Sequence, residues 1–312
     1  MGASGSLRKL ATTGLAIGLA AAGPAPPPVS TSNPPPPHRN GAETLAASQD
    51  RSARLTISVM VNGRGPYPFV VDTGANRSVI SRELAITLKL PVGPRVSLDD
   101  ALGKGDVDTV LIDRLDFGSR AIKGIDAPVL AAANLGADGM LGIDSLRNQH
   151  VVMDFVGKKF LVSPAAEEID DFSTTATVVH GRRRSGQLVL VDAESQAVPI
   201  FVILDSGAQN TIGNAALRRL MTYGTRRGAK RPTDRLISVT GSQTMAELDE
   251  MPEIKLGGVT IRNAPVAYAN LHTFTQFGLD ERPALLLGMD VLHFFRSVTI
   301  DFRRREAAFV IY

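Results

Sequence analysis

Val70-Val71-Asp72-Thr73-Gly74-Ala75-Asn76 and Ile203-Leu204-Asp205-Ser206-Gly207-Ala208-Gln209 are two versions of one turn. Each is an apolar run followed by Asp, a small hydroxyl residue, Gly and Ala. The two aspartates lie 133 residues apart, and the same offset aligns Ser78 with Thr211, Val79 with Ile212, Ser81 with Asn214 and Leu84 with Leu217. A second pair of blocks follows: Met140-Leu141-Gly142-Ile143-Asp144-Ser145-Leu146 and Leu286-Leu287-Gly288-Met289-Asp290-Val291-Leu292. Their glycines are 146 residues apart, so the second copy has a longer middle. Val152-Met153-Asp154-Phe155 and Thr299-Ile300-Asp301-Phe302 close the series. Matched blocks in one order mean that a whole small domain is duplicated, and two copies imply two lobes about a pseudo-twofold axis.

The 312 residues suffice for two such lobes, and 44% are hydrophobic, enough for a packed core. Glycine (29) and proline (19) suit a turn-rich β protein. With no cysteine, disulfides, thiolate metal sites and cysteine nucleophiles are excluded. The net charge is +3 and the pI about 9.3. Arg182-Arg183-Arg184, Arg226-Arg227 and Arg303-Arg304-Arg305 read as solvated faces and turns. No aromatic interleaving or tryptophan supports a nucleic-acid partner.

Arg8 and Lys9 precede an apolar run over residues 10–22, and small residues follow. A basic stretch, an apolar stretch and a small-residue cleavage zone read as a signal peptide over residues 1–25. Its loss removes two positive charges and no acid, taking +3 to +1. The expected location is periplasmic or secreted, with a membrane tether only if the segment stays uncleaved. Residues 26–52 read as a disordered tether, because Pro26-Pro27-Pro28 and Pro34-Pro35-Pro36-Pro37 favour polyproline II and build no core.

From residue 53 onward, strand signals dominate. Leu55, Ile57, Val59 and Val61 alternate with Thr56, Ser58 and Met60, and Asn62-Gly63 predicts a hairpin turn into the strand ending at Asp72. The second copy repeats this with a turn near residues 193–196. Ser81 and Asn214 are each placed to cap a short helix. The expected lobes are residues 53–162 and 181–312, joined by an acidic linker over residues 163–180.

Hydrolysis of a peptide bond needs a nucleophile at the carbonyl and a proton for the leaving nitrogen. Two neighbouring carboxylates that share one proton supply both, because like charges at close range cannot both ionise. Asp72 and Asp205 are the candidate pair, and they titrate as a unit. Gly74 and Gly207 let backbone amides approach the carboxylates. Thr73 and Ser206 are placed to donate hydrogen bonds between lobes. The apolar runs anchor each turn on a buried strand.

Asp-Thr/Ser-Gly-Ala after an apolar strand, then Leu-Gly-Met/Ile-Asp, then an apolar-Asp-Phe run, resembles the retropepsin-like aspartic proteases over residues 54–312. Leu286-Leu287-Gly288-Met289-Asp290 is similar to the corresponding block of retroelement proteases. Both copies lie on one chain, as in pepsins, and the leader is similar to that of exported bacterial members. The resemblance implies an all-β, bilobal, monomeric endopeptidase acting on protein or peptide substrates, with no cofactor. It also implies that Asp144 and Asp290 cap helices behind the active turns.

Two departures stand out. The pepsin flap tyrosine has no counterpart, and Ala75 and Ala208 stand where pepsins carry a hydroxyl residue. Leu102-Gly103-Lys104-Gly105 and Thr240-Gly241-Ser242-Gln243 are candidate flaps, with Gly103, Lys104, Gly241 and Ser242 at their tips. Read as lids they cover the cleft from both sides; read plainly they are hairpin tips. The acidic run Asp99, Asp100, Asp106, Asp108, Asp113 and Asp116 lacks EF-hand order, and the histidines lack metal-site spacing, so no metal is expected. The rival to an enzyme is a catalytically silent peptide-binding protein of the same fold. A surface-interaction protein using the basic clusters is a third reading.

Overall fold

The apolar runs before the two aspartates become buried strands. The computed structural model describes residues 43–50, 52–146, 149–164, 176–184, 187–222 and 231–312. The expected leader, most of the proline-rich tether, most of the acidic linker and Arg226-Arg227 lie outside the described residues. Among the described residues no helix is long and apolar enough to cross a membrane.

In the first lobe, Leu55–Val61 pairs antiparallel with Arg64–Val71, and Leu55, Ile57, Val59 and Val61 are buried. Asn62 and Gly63 both take the left-handed conformation that a two-residue hairpin turn requires (φ 49° and 73°). In the second lobe, Gln187–Ser195 pairs with Val198–Leu204. Its turn falls at Gln196-Ala197, slightly later than expected, because an irregularity between Leu190 and Ala193 lengthens the strand.

The repeated Leu-Gly blocks explain themselves here. Gly139–Leu141 lies parallel to Arg64–Val71, and Ala284–Leu287 lies parallel to Val198–Leu204. Each aspartate strand is therefore flanked on both sides. Val70, Val71, Ile203 and Leu204 are almost wholly buried. Side chains of this size contribute about 1.5–3 kcal/mol each when removed from water. The strand ends that present the aspartates are thereby fixed.

One antiparallel sheet joins the lobes, in the order Glu43–Gln49, Lys159–Pro164, Gln149–Asp154, Ser297–Asp301, Glu306–Val310, Thr177–Arg184. At its centre Val152 pairs with Thr299. These two residues are equivalent in the repeat, so the pseudo-twofold axis passes between them. The structure is all-β and bilobal, with short helices at Arg82–Leu88 and Ala215–Thr222. Ser81 Oγ accepts from Leu84 N (3.1 Å), and Asn214 Oδ1 accepts from Leu217 N (2.8 Å).

The expected tether is corrected at its end. Glu43–Gln49 is a strand, paired with both Lys159–Pro164 and Leu55–Val61. Leu45 packs on the main core and Ala47 is buried, so this short alternating run does have an apolar face. The expected linker shrinks likewise, since Ser163 and Pro164 end one strand and Thr177 begins another. The strand Gln243–Leu256 is longer than its sequence pattern announces, because Pro252 and several acids interrupt a half-exposed run.

Candidate active site

Asp72 and Asp205 leave their buried strands and enter matching turns. Asp72 N donates to Leu141 O (2.9 Å) and Asp205 N to Leu287 O (3.1 Å). Asp72 Oδ1 accepts from Gly74 N (2.7 Å) and Ala75 N (3.0 Å). Asp205 Oδ1 accepts from Gly207 N and Ala208 N, both at 3.0 Å. Each turn thus folds its own amides onto its own carboxylate.

The two turns also meet. A β-carbon on Gly74 would stand 2.5 Å from Asp205 Cγ, and one on Gly207 would stand 2.2 Å from Asp72 Cγ. No side chain fits at either position, so glycine is required by close approach of the opposite aspartate. Thr73 and Ser206 lock this arrangement. Thr73 Oγ1 donates to Leu204 O (3.0 Å) and accepts from Ser206 N (3.1 Å). Ser206 Oγ donates to Val71 O (2.8 Å) and accepts from Thr73 N (3.1 Å). All four contacts are buried and cross between lobes.

Asp144 and Asp290 brace the turns from behind, and each also accepts from an amide in the first turn of its own helix, Ser145 N for Asp144 (2.8 Å) and Val291 N for Asp290. Asp144 accepts from Ser78 Oγ (2.7 Å) and Ser78 N (2.9 Å), and Asp290 accepts from Thr211 Oγ1 (2.6 Å) and Thr211 N (3.0 Å). Both aspartates lie in the first turn of a short helix. The helix beginning after Gly288 has no side-chain cap. The hydroxyls in turn accept from Gly142 N (3.1 Å) and Gly288 N (3.0 Å), tying each Leu-Gly block to its turn.

Electrostatics set the two carboxyls apart. Burial pushes the Asp72 carboxyl up, while the amide of Gly74 and the guanidinium of Arg54 pull it back. Asp205 is driven well above the usual carboxylate range by burial and then by the facing charge of Asp72. A pair of this kind holds one proton over an extended pH range.

The aspartates line a cavity of about 480 Å³ between the lobes. Two hairpins line it, through residues 97–102 and 235–239, while the candidate tip residues Gly103, Lys104, Gly241 and Ser242 are not among the lining. Val96–Asp99 pairs with Lys104–Val107, and Thr233–Ile237 pairs with the start of Gln243–Leu256. Gly103 sits at the first tip, next to Lys104; Gly241 (φ 90°) and Ser242 form the second. Each tip crosses to the other lobe. Ala101 and Leu102 pack against a cluster of the second lobe that includes Ile212, Leu271 and Phe274, while Val239 packs against a cluster of the first lobe that includes Val79, Leu130 and Met140. The tips join where Asp100 accepts from Ser238 Oγ (2.6 Å) and from Thr240 Oγ1. His272 N donates to Ala101 O (2.8 Å), adding a second tie to the first tip.

Two site residues carry no sequence signal that singles them out. Asp100 reads as one acid among many on a solvated hairpin. Arg54 reads as the boundary of a tether, yet it is only 6% exposed and lines the cavity. Among the described residues no cluster of His, Cys, Asp and Glu is arranged to hold a metal ion.

Paired aspartate turns on a duplicated β lobe, braced by repeated Leu-Gly-X-Asp blocks, define the retropepsin-like class of aspartic proteases. Residues 57–148 match the family described as "gag-polyprotein putative aspartyl protease", and residues 191–291 match the family described as "Aspartyl protease". One match falls on each lobe, and the chain belongs to the retropepsin-like aspartic proteases. Among curated proteins, none matches the chain in sequence.

Proposed function

We propose that this protein is an aspartic endopeptidase whose catalytic pair is Asp72 and Asp205. The observation that carries the reading is the mutual approach of the two turns, with Gly74 against Asp205 and Gly207 against Asp72 at the floor of one cavity. The ionised carboxylate takes a proton from a bound water as the water oxygen bonds to the scissile carbonyl carbon. The protonated carboxyl gives its proton to the carbonyl oxygen. In the second step the C–N bond breaks, the proton taken from water passes to the leaving nitrogen, and a diol proton returns to the other carboxylate. Acid and base are thereby restored.

Both carboxylates lie on one chain, so the working unit is a monomer that takes a protein or peptide in its cleft. The two hairpins act as lids that admit the substrate and then exclude water. The basic, then apolar, then small-residue order of residues 8–25 directs export to the periplasm or beyond. Mass spectrometry of native protein is expected to find an N-terminus near Pro24–Pro26; an intact Met1 on cytosolic protein contradicts export.

Incubation of the purified full chain with a peptide library, with cut sites read by mass spectrometry, tests the activity. Cleavage blocked by a pepstatin-type hydroxyl inhibitor and indifferent to chelators is the expected result. Peptides that bind without being cut would instead establish the silent-binder alternative.

A further inference from the structure

The pseudo-twofold symmetry of the site breaks in the strand that lies beside each aspartate. Strand register pairs Thr56 with Val70 in the first lobe and Val189 with Ile203 in the second. Continued by two residues, the first ladder sets Arg54 opposite Asp72, and the second sets Gln187 opposite Asp205. Residues opposite one another in such a ladder are close neighbours. In the sequence repeat the place of Arg54 is thus taken by Gln187, a cation in one copy and an uncharged residue in the other.

Arg54 is built in. Among the described residues no other arginine or lysine is as fully buried. Its Nε and Nη2 contact Asp50 Oδ2 at 2.7 Å and 2.6 Å. Nη2 also donates to Leu135 O, and Nη1 donates to Gly207 O (3.1 Å) in the opposite lobe. The peptide unit whose carbonyl it holds is the one whose N–H, at Ala208, donates to Asp205 Oδ1. Gly136 leaves the room this requires, since a β-carbon there would stand 2.5 Å from Nη2. One side chain therefore orients the Asp205 turn and places positive charge beside Asp72.

Resting on the endopeptidase reading, we propose that Arg54 is a positioning residue that makes the two carboxylates unlike, so that Asp72 carries the negative charge and acts as base while Asp205 carries the proton and acts as acid. Burial raises both carboxyls; Arg54 draws Asp72 back, and the charge on Asp72 drives Asp205 further up. The other charged side chains lining the cavity are engaged with other partners. Asp99 lies 3.4 Å from His272, and Asp100 is held by Ser238. Arg77 donates to Asp126 O (2.9 Å) and Arg235 to Gln243 Oε1 (3.3 Å). Asp50 offsets part of the Arg54 charge, so its neutralisation is expected to deepen the asymmetry.

The test is ¹³C-carboxyl titration of the full chain, which needs no turnover. In Asp205→Asn, Asp72 titrates alone; in Asp72→Asn, Asp205 titrates alone. Asp72 is expected to titrate lower by about one unit or more. Adding Arg54→Gln to both is expected to close the gap, and adding Asp50→Asn to widen it. Opposite signs from two members of one ion pair separate a charge effect from a loosened fold. If Arg54→Gln does not fold, the Asp50→Asn arm decides. A gap that is absent or reversed, or that Asp50→Asn leaves unchanged or narrows, overturns the proposal. Failure of the protein to cut any peptide would sink the endopeptidase reading and leave the titration result standing.

Discussion

Asp100, at the tip of one hairpin, accepts a hydrogen bond from Ser238 Oγ at the tip of the other, at 2.6 Å. Thr240 Oγ1 and the amides of Leu102 (2.8 Å) and Gly103 (2.9 Å) complete its shell. The first hairpin belongs to one lobe and the second to the other, so a half-buried carboxylate ties the two lobes' hairpins together. Hydrogen bonds to a charged group contribute about 1.5–3 kcal/mol each. Asp100→Ala is therefore expected to speed amide exchange in both hairpin tips tenfold or more without unfolding the lobes. Unchanged exchange at residues 236–243 would rule out the latch.

The same contact has a direction in pH. Burial alone would raise the Asp100 carboxyl, but the hydroxyls of Ser238 and Thr240 and the two amides outweigh it and hold it below 3.8. A carboxyl lowered in the closed state stabilises closure above its open-state value and loses that contribution as pH falls through the closed-state value. Hairpin opening, followed by amide exchange, is expected to rise only in strongly acidic solution. An onset near neutral pH would assign the latch to another group.

Thr73 and Ser206 exchange four buried hydrogen bonds across the lobes. Removing one hydroxyl leaves a buried carbonyl and a buried amide without that partner, at a cost of about 1–3 kcal/mol. Thr73→Val and Ser206→Ala are each expected to lower the denaturation midpoint, and their costs should not add, because both hydroxyls hold the same two turns against each other and loosening one contact loosens the rest. Additive costs in a double-mutant cycle would show that the two hydroxyls act separately.

Asp205 is raised in the folded protein, so its neutral form is favoured there. Such a group contributes stability below its unfolded value of 3.8, and that contribution is lost as pH rises through the folded value. Asp205→Asn should then raise Tm at pH 7 by about 2–4 °C for each ~1 kcal/mol relieved, with no gain below about pH 3, where the carboxyl is protonated in both states. The activity of the unsubstituted pair follows the same logic. Both carboxyls are raised, so the bell-shaped rate profile should sit above the range of ordinary carboxylates. Ala75→Ser or Ala208→Thr adds a donor to the ionised form and should move the profile to lower pH; an unmoved profile in a folded, active variant removes that explanation.

The duplicated turns, the Leu-Gly blocks and the hairpin at Asn62-Gly63 were all legible in the sequence. Each is a local pattern with a local cause: a strand end, a close approach, a left-handed turn. Glu43–Gln49 was not legible, because its small alternating face gains meaning only against Lys159–Pro164 and Leu55–Val61. The roles of Asp144 and Asp290 needed the structure too, since Ser78 and Thr211 reach them from 66 and 79 residues away. Arg54 was hidden for a further reason. The repeat directs attention to what the two lobes share, and Arg54 is what they do not share.

The central claim is that Asp72 and Asp205 form one catalytic unit. Steady-state cleavage of a peptide drawn from the library screen, by wild type, Asp72→Asn, Asp205→Asn and the double variant, tests it most directly. Each single variant is expected to lose about 10³-fold or more in kcat while remaining folded, and the double variant to lose little beyond either single, because members of one unit are not additive. A folded single variant that cleaves at near wild-type rate would contradict the account.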